Sequence, residues 1–419
     1  MRITTLRSFL PLILLAVTAI SSPPIAAAQS KPQRPDASKG TDKLNHRAQP
    51  KTEDELKKEA DEKKRAEEEK GATEEKEVVT VDTNIVNVDA VVYNKKSGQI
   101  VQGLKKENFQ VFENGIKQNI SSFSASESPI TVSLVLEYSK WTEYYGSAAG
   151  GMFEPGVYET IRPVAQFVSQ FIKPPNDYAS VIAFDMRPTP ITDFTNDPAR
   201  LRQTIDLLLR NQPAFRENNL YDALKFALVG GRGDSVVLEN AEKSTSDYSG
   251  MVAVKSKRRA IILVASGIDT FSKINYSDIR KIVQEAGVPI YIISTGNLFF
   301  KKYEQNLPAT DDITGAPGRM TFLQAKNVMN TLAKESGGMH FEMTFQSEVP
   351  AYLNTINGML RSQYSLSYDL ADHQHEAGKK YKLEVKVDVD GDGVADDKQF
   401  IVQHRPFVLG PSLKKDKKK

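Results

Sequence analysis

The chain has 419 residues, with 55 Lys and Arg against 53 Asp and Glu, which gives a formal net charge of +2 at pH 7. This length is enough for two domains and a sizeable buried core. The balanced charge gives no argument for a nucleic-acid partner, and because the sequence contains no cysteine, disulfides, Cys-ligated zinc and cysteine nucleophiles are excluded.

Residues 1–28 have the pattern of a secretory signal peptide. Arg2 and Arg7 provide a positive start, the apolar stretch from Phe9 is short for a bilayer span, and Ala26–Ala28 is a small-residue cleavage signal. An uncleaved anchor is the alternative, and the alanine triplet disfavours it. No later stretch is apolar enough to span a bilayer. The sequence therefore predicts a secreted or periplasmic protein, cleaved near Ala28, with no membrane span afterwards.

Residues 29–77 are predicted to be a disordered or charged helical linker. The stretch is dominated by charged side chains, with Glu53/Lys57 and Glu59/Lys63 at helical i,i+4 spacing. It has too few apolar residues to bury a core, so a solvated helix or tether is expected.

The next region, residues 78–127, is predicted to be a small β-sandwich-like unit. Apolar and polar residues alternate up to Asn94, as in a half-buried strand. Asn114-Gly115 lies between two further alternating segments, and this dipeptide is a strong signal for a β-hairpin turn.

From Ile130 the pattern changes to strands that alternate with helices. Residues 131–136 and 259–266 are rich in apolar residues, as in strands covered on both faces, and Asp197-Pro198 is a helix start. Two strands close together, within 179–184 and 190–194, predict an antiparallel pair at a sheet edge. The region 128–370 is therefore predicted to be an α/β domain with a doubly wound, mostly parallel sheet. Residues 371–410 are predicted to be a C-terminal β-hairpin with an acidic loop, and 411–419 a basic disordered tail.

Several segments in this order resemble von Willebrand factor type A (VWA) domains, and more narrowly secreted bacterial proteins with a VWFA-related domain. The segments are TVSLVLEYS, YASVIAFDMRPTPITDFTND, NNLYDALKFAL and RRAIILVASGIDTFS. The resemblance extends from residue 79 to about residue 408. It implies an open parallel sheet with one antiparallel edge and, after the first strand, a metal-ion-dependent adhesion site.

In the family that site consists of D-x-S-x-S, a threonine in a later loop and an aspartate after the fourth strand. A hard cation needs such oxygen ligands and keeps one position open for a carboxylate of the partner. Only the first serine is unchanged here, so the resemblance implies a degenerate site at which Mg²⁺ is not expected. The matching positions, with a nearby substitute for the last aspartate, are Glu137, Ser139, Trp141, Asn218, Ser266 and Asp269.

From the residues alone, Glu137 and Ser139 could equally cap the strand through hydrogen bonds to neighbouring loops. Trp141 cannot ligate a metal, and we expect it at the mouth of the cleft as an apolar contact or a lid. Tryptophan is also common as an anchor in protein interfaces.

The acidic segment DVDGDGVADD is the better candidate for a metal site, and the ion would be Ca²⁺. Its first residues match D-x-D-x-D-G, with a further aspartate at the ninth position. The twelfth position is Gln399 where a bidentate Glu would be expected, and the flanks are strand-like, so an acidic hairpin turn remains the alternative. The candidate ligands are Asp388, Asp390, Asp392 and Asp396.

No catalytic motif is recognisable in the sequence. Ser266 follows a predicted strand, as a nucleophile would, but it lacks the elbow spacing of glycines and an identifiable histidine partner. The leading hypothesis is a non-catalytic extracytoplasmic module that binds another protein. The alternatives are a structural component of the cell envelope and, less well supported, a serine hydrolase.

Overall fold

The computed structural model describes residues 85–125, 128–145, 156–234, 245–256, 258–313, 315–345, 347–369, 375, 376 and 378–410. These residues all fall within one compact unit. The predicted signal peptide, linker and basic tail lie outside them. None of the helices in the described ranges is both long and apolar enough to cross a membrane.

The predicted α/β domain is confirmed: a six-stranded sheet forms in the order β12-β11-β10-β5-β6-β7 within the described residues. All neighbouring strands are parallel except β6 and β7, which form the predicted antiparallel edge. Its strands are β5 (Ile130–Glu137), β6 (Tyr178–Phe184), β7 (Pro188–Thr195), β10 (Arg258–Ala265), β11 (Ile290–Ser294) and β12 (His340–Glu342). This order, with one reversed edge strand, is the architecture that the resemblance to VWA domains implied.

Helices cover both faces of this sheet, which explains why its central strands lack polar alternation. One core cluster joins the sheet to α2, α3 and α8, and another joins the opposite face to α4, α5 and α7. Asp197 caps α3 through its hydrogen bond with the backbone N–H of Ala199 at 2.8 Å. The helices are α1 (Lys140–Tyr145), α2 (Gly156–Phe171), α3 (Pro198–Arg210), α4 (Leu220–Val229), α5 (Tyr276–Ala286), α6 (Gly296–Tyr303), α7 (Arg319–Ser336) and α8 (Glu348–Arg361).

Apart from one separate hairpin, the remaining strands of the described residues build a β-sandwich from both ends of the described chain. Among the described residues, one sheet has the order β15-β1-β13-β4 and the other β16-β14-β2-β3, and a shared apolar cluster fills the space between them. The strands are β1 (Ile85–Asn94), β2 (Phe109–Glu113), β3 (Ile116–Gln118), β4 (Ile120–Ser124), β13 (Tyr364–Asp369), β14 (Lys380–Val387), β15 (Phe400–Gln403) and β16 (Phe407–Leu409). A short separate hairpin consists of β8 (Gly231–Asp234) and β9 (Thr245–Tyr248).

Two predicted boundaries are wrong. The predicted C-terminal β-hairpin is not a separate unit: β14 does pair with β16 of the same segment, but it also pairs with β2, and β15 pairs with β1 in the other sheet. Strand β13, predicted to belong to the α/β domain, pairs with β1 and β4 of the sandwich. The physical reason is burial: β14 alternates buried and exposed residues, and its apolar face needs the second sheet to cover it.

A buried arginine at the start of β10 links the sandwich to the α/β sheet. Arg258 is 1% exposed, and its guanidinium donates to the carbonyls of Ala125 and Leu360 at 2.6 and 3.2 Å. It also donates to the carbonyls of Arg361 and Gln363. Because these acceptors come from segments next to β4 and β13, one side chain joins both parts of the fold.

Candidate functional site

The carboxyl edge of the sheet, where its parallel strands end, brings four of the predicted site residues together. Glu137 is the last residue of β5 and Ser266 is the first residue after β10. Ser139 and Asn218 lie in the loops that precede α1 and α4. Glu137, Ser139, Asn218 and Ser266, hereafter the Glu137 cluster, are each 2% exposed or less.

Within this cluster, the Glu137 carboxylate accepts four hydrogen bonds from described residues. Oε1 accepts from Ser139 Oγ at 2.7 Å and from Asn218 Nδ2 at 3.0 Å. Oε2 accepts from the backbone N–H of Ser266 at 2.6 Å and from its hydroxyl at 2.7 Å. The side chains that correspond to metal ligands in the family therefore donate to one carboxylate, which lies at the centre of the cluster.

Burial raises the pKa of Glu137 above its ordinary value, while the hydrogen bonds from Ser139, Ser266 and Asn218 lower it. The net direction is upward because removing the carboxylate from water disfavours its charged form.

This donor set does not fit Mg²⁺. The ion requires a near-octahedral shell of oxygen ligands and usually binds to charged carboxylates. Glu137 supplies the cluster's one carboxylate, and both of its oxygens are already engaged by donors. Trp141 presents an indole where the family has a second serine ligand.

Asp269, the predicted substitute for the missing aspartate, makes its hydrogen bonds elsewhere. Its carboxylate accepts from the backbone N–H of Tyr221 at 3.4 Å and from Ser272 Oγ at 2.5 Å. Tyr221 lies in the first turn of α4, so Asp269 satisfies a donor at the start of that helix. It lies on the same edge but does not hydrogen-bond to the Glu137 cluster in the described structure.

The loop that carries Asn218 is held in place on both sides. The backbone N–H of Lys140 donates to the carbonyl of Phe215 at 2.8 Å, and that of Phe271 donates to the carbonyl of Asn218 at 2.8 Å. Thr270 Oγ1 accepts from the backbone N–H of Asn218 at 2.8 Å. Thr270 was not predicted as a site residue from the sequence. Its position in GIDTF, four residues after Ser266, could have indicated that it lies at the same edge of the sheet.

Trp141 is a half-buried residue in the first turn of α1, not an open anchor. Its ring stacks on Tyr145 with centroids 5.0 Å apart and planes 1° apart, as i,i+4 neighbours on a helix can. The guanidinium carbon of Arg216 lies 4.2 Å from the indole centroid. Tyr145 in turn packs on Phe299 and Phe322. Trp141 therefore belongs to a packed aromatic cluster, and the Arg216 guanidinium stacks on its ring.

Three aromatic side chains around the same edge are exposed to solvent. Tyr144 is 51%, Phe215 45% and Phe271 51% exposed. They come from α1, from the loop before α4 and from the loop after β10, respectively. We call these three residues the aromatic rim. Exposed aromatic side chains on loops of one sheet edge are typical of binding surfaces.

Ser266 has no histidine partner among the described residues. Its hydroxyl donates to Glu137, and it is 2% exposed. His340 contacts Asn330, His375 contacts Glu113, and His404 contacts the carbonyl of Arg405. The serine–histidine pair that activates a nucleophile is thus not formed in the described part of the chain.

The acidic loop connects β14 to β15 and therefore crosses from one sheet of the sandwich to the other. Asp388, Asp390 and Asp392 each offer a carboxylate oxygen, and these oxygens lie within 4.8 Å of one another. Asp388 also accepts from the backbone N–H groups of Gly391 and Gly393 at 2.7 and 2.8 Å. Asp396, the fourth predicted ligand, instead accepts from the backbone N–H of Val389 at 2.8 Å.

Comparison with known proteins gives similarity only at the level of solved structures. No family model and no curated protein matches the chain. The PilB minor pilin from Streptococcus sanguinis shares 10% identity over 56% of this chain, with a TM-score of 0.38. This chain spans 62% of that pilin chain.

Two other solved structures are matched over nearly their whole length. The conserved hypothetical protein BatB from Bacteroides thetaiotaomicron shares 13% identity over 56% of this chain and 100% of its own, with a TM-score of 0.34. The vWF domain of the type V pili tip protein Mfa5 from Porphyromonas gingivalis shares 15% identity over 57% of this chain and 96% of its own, with a TM-score of 0.32.

Proposed function

We propose that this chain is a non-catalytic, adhesion-type module that acts outside the cytoplasm and binds another protein at the carboxyl edge of its α/β sheet, without Mg²⁺. The observation that carries the proposal is the aromatic rim, which is exposed around a buried centre. Burial of aromatic side chains contributes strongly to protein–protein association, so this edge has the character of an interface.

The geometry of the Glu137 cluster supports the proposal that binding does not need Mg²⁺. Its hydroxyl and amide donors are directed at Glu137, and a cation entering there would have to displace these hydrogen bonds. The aromatic rim, in contrast, needs no ion to bind apolar groups of a partner.

Ser266 is the only candidate nucleophile that the sequence analysis raised. Its hydroxyl is buried and donates to Glu137, which supports a structural role for Ser266 in holding the loop after β10. This arrangement favours a binding protein over a hydrolase. A serine-reactive fluorophosphonate probe tests this directly: labelling of the wild type that is lost in Ser266→Ala would contradict the non-catalytic assignment.

For the acidic loop we propose Ca²⁺ as the ion, in a supporting role. Ca²⁺ accepts six to eight oxygen ligands in flexible geometry, and three carboxylates at close range suit a hard cation. An ion there would stabilise the crossing between the two sheets of the sandwich, at a distance in sequence from the binding edge.

Site-specific photocrosslinking tests the binding function. A photoreactive phenylalanine analogue replaces Phe271 or Phe215 on the aromatic rim and, as a matched control, Ile116 in β3, which is 53% exposed. The crosslinking is carried out on cells of the source organism with EDTA present. We expect one discrete adduct from the rim positions and none from position 116.

Addition of Tyr144→Ser to the protein that carries the photoreactive residue at position 271 or 215 should reduce the yield of that adduct. It should not lower the melting temperature of the protein. Equal adducts from position 116 and from the rim would contradict the proposed site. Absence of any adduct from the rim would favour the alternative of a structural envelope component. An adduct that disappears with EDTA would show that a metal ion is required.

A further inference from the structure

The carboxyl edge carries a cation, Arg216, that forms no ion pair with an aspartate or glutamate of the described residues. Arg216 is exposed and lies in the loop before α4, two residues from Asn218. In the described part of the chain its guanidinium makes neither an ion pair nor a hydrogen bond, and its contact is the stack on Trp141, at 4.2 Å. Glu143 and Glu217 share this edge, and neither pairs with Arg216.

The loop around Arg216 is fixed by bonds on both sides of it. Phe215 is bonded through its carbonyl to the N–H of Lys140. Asn218 is bonded through its side chain to Glu137 and through its carbonyl to Thr270 and Phe271. An arginine stacked on an aromatic ring between such anchors loses little conformational freedom when it binds a ligand.

A guanidinium that stacks on an aromatic ring keeps the N–H donors at its edge free. Stacking uses the face of the planar group, while the donors point outward in its plane and match the two oxygens of a carboxylate. A positive charge held at the carboxyl edge of the sheet is what a metal ion supplies in an adhesion site of this fold, and the free N–H donors of Arg216 add a means of binding oxygen atoms.

We propose that Arg216, held on Trp141, takes the place of the metal ion and binds a carboxylate from an acidic segment of the partner protein. This inference rests on the proposed function and adds the chemistry of the partner: an Asp or Glu side chain bound by Arg216, with the aromatic rim around it. The indole at position 141, which cannot ligate a metal, then has a positive role as the support of the cation.

Tetra-aspartate is the probe, and tetra-asparagine is the uncharged control of the same length. The full chain is titrated with each peptide at low and at physiological salt. Trp141 is the only tryptophan in the sequence, so its fluorescence reports binding at this position, and calorimetry gives the affinity. We expect saturable binding of tetra-aspartate and none of tetra-asparagine.

Arg216→Gln should weaken tetra-aspartate binding at least about tenfold, as loss of a charge-assisted hydrogen-bond pair would. Arg216→Lys keeps the charge but loses the planar two-donor geometry, and should fall between the wild type and the Gln variant. Arg202→Gln, the same change in charge on an exposed arginine of α3, should bind like the wild type.

Four results would overturn the inference: no binding of tetra-aspartate by the wild type, equal binding by Arg216→Gln, an equal loss in Arg202→Gln, or equal binding of tetra-asparagine. Because these titrations use a purified peptide, a negative result would contradict the role of Arg216 without contradicting a crosslinked adduct at the aromatic rim. Conversely, absence of a crosslinked adduct would contradict the proposed binding edge without changing the measured affinity for tetra-aspartate.

Discussion

Glu137 and Ser266 are joined by a paired contact across two neighbouring strands: the backbone N–H and the hydroxyl of Ser266 both donate to the same oxygen, Glu137 Oε2, at 2.6 and 2.7 Å. Strands β5 and β10 are adjacent and parallel, so their ends meet at one edge. The extra methylene of glutamate, compared with the aspartate of the family, gives the carboxylate a longer reach toward the next strand end.

Glu137→Ala should destabilise the protein more than any single change of its partners. Removal of the carboxylate leaves donors of Ser139, Asn218 and Ser266 buried without an acceptor, and we expect a loss of about 3 kcal/mol in the free energy of unfolding. Asn218→Ala removes one donor and should cost about 1 kcal/mol. Urea denaturation measures both values. A smaller loss for Glu137→Ala than for Asn218→Ala would contradict the central role of Glu137.

The stability of the wild type should fall with rising pH relative to Glu137→Gln. Burial raises the pKa of Glu137, and an acid with a higher pKa in the folded state holds its proton more tightly when folded. Its contribution to stability is therefore complete below the ordinary range for glutamate and is lost as the pH rises through the folded-state pKa.

The largest expected slope is about 1.4 kcal/mol per pH unit. Urea denaturation of both proteins at several values from pH 4 to pH 8 gives the difference in unfolding free energy. Subtraction cancels the contributions of other carboxyls, such as the half-buried Asp89 and Asp269, whose pKa values desolvation also raises. A difference that stays constant, or that grows with pH, is the result that would refute this prediction.

Mg²⁺ should leave the melting temperature of the wild type unchanged, because the donors of the Glu137 cluster are directed at a carboxylate. Differential scanning calorimetry with millimolar Mg²⁺ and with EDTA measures this. Glu137→Asp is the informative variant, since it shortens the side chain and restores the family residue. Stabilisation of the wild type by Mg²⁺ that is lost in Glu137→Ala would show that the site does bind the ion.

Ca²⁺ should stabilise the protein through the acidic loop. At a concentration 100-fold above its dissociation constant, an ion that binds only the folded state adds about 2.7 kcal/mol. Asp390→Asn should abolish this gain, whereas Asp206→Asn, which removes one exposed carboxylate from α3, should preserve it. Thermal melting with and without Ca²⁺ decides the matter, and a gain that survives in Asp390→Asn would place the ion elsewhere.

Arg258→Lys should weaken the link between the sandwich and the α/β sheet. A lysine ammonium cannot reach all four carbonyls that the guanidinium contacts, and each buried acceptor left without a donor costs about 1–3 kcal/mol. We expect a loss of at least about 2 kcal/mol in urea denaturation. Arg202→Lys on the surface of α3 is the control, and equal stabilities of the two variants would refute the role of Arg258.

The sequence alone predicted the α/β domain and the position of Glu137 correctly. Buried parallel strands give apolar runs, and helices give a 3.6-residue period, so both can be recognised from neighbouring residues. The run that ends at Glu137 forms β5, and the antiparallel edge of β6 and β7 lies where the two short strands predicted it. Parallel strands end at one edge, so Glu137 and Ser266 could be placed together.

Only the tertiary structure decided which strands pair in the sandwich and how the site is closed. Strands β1 and β13 pair although more than 250 residues separate them, and no local pattern encodes such a partner. The same holds for Arg216 on Trp141 and for the donors that converge on Glu137. Local periodicity fixes which face of an element is buried, whereas contacts between distant segments depend on how all elements pack together, and packing is a property of the whole chain.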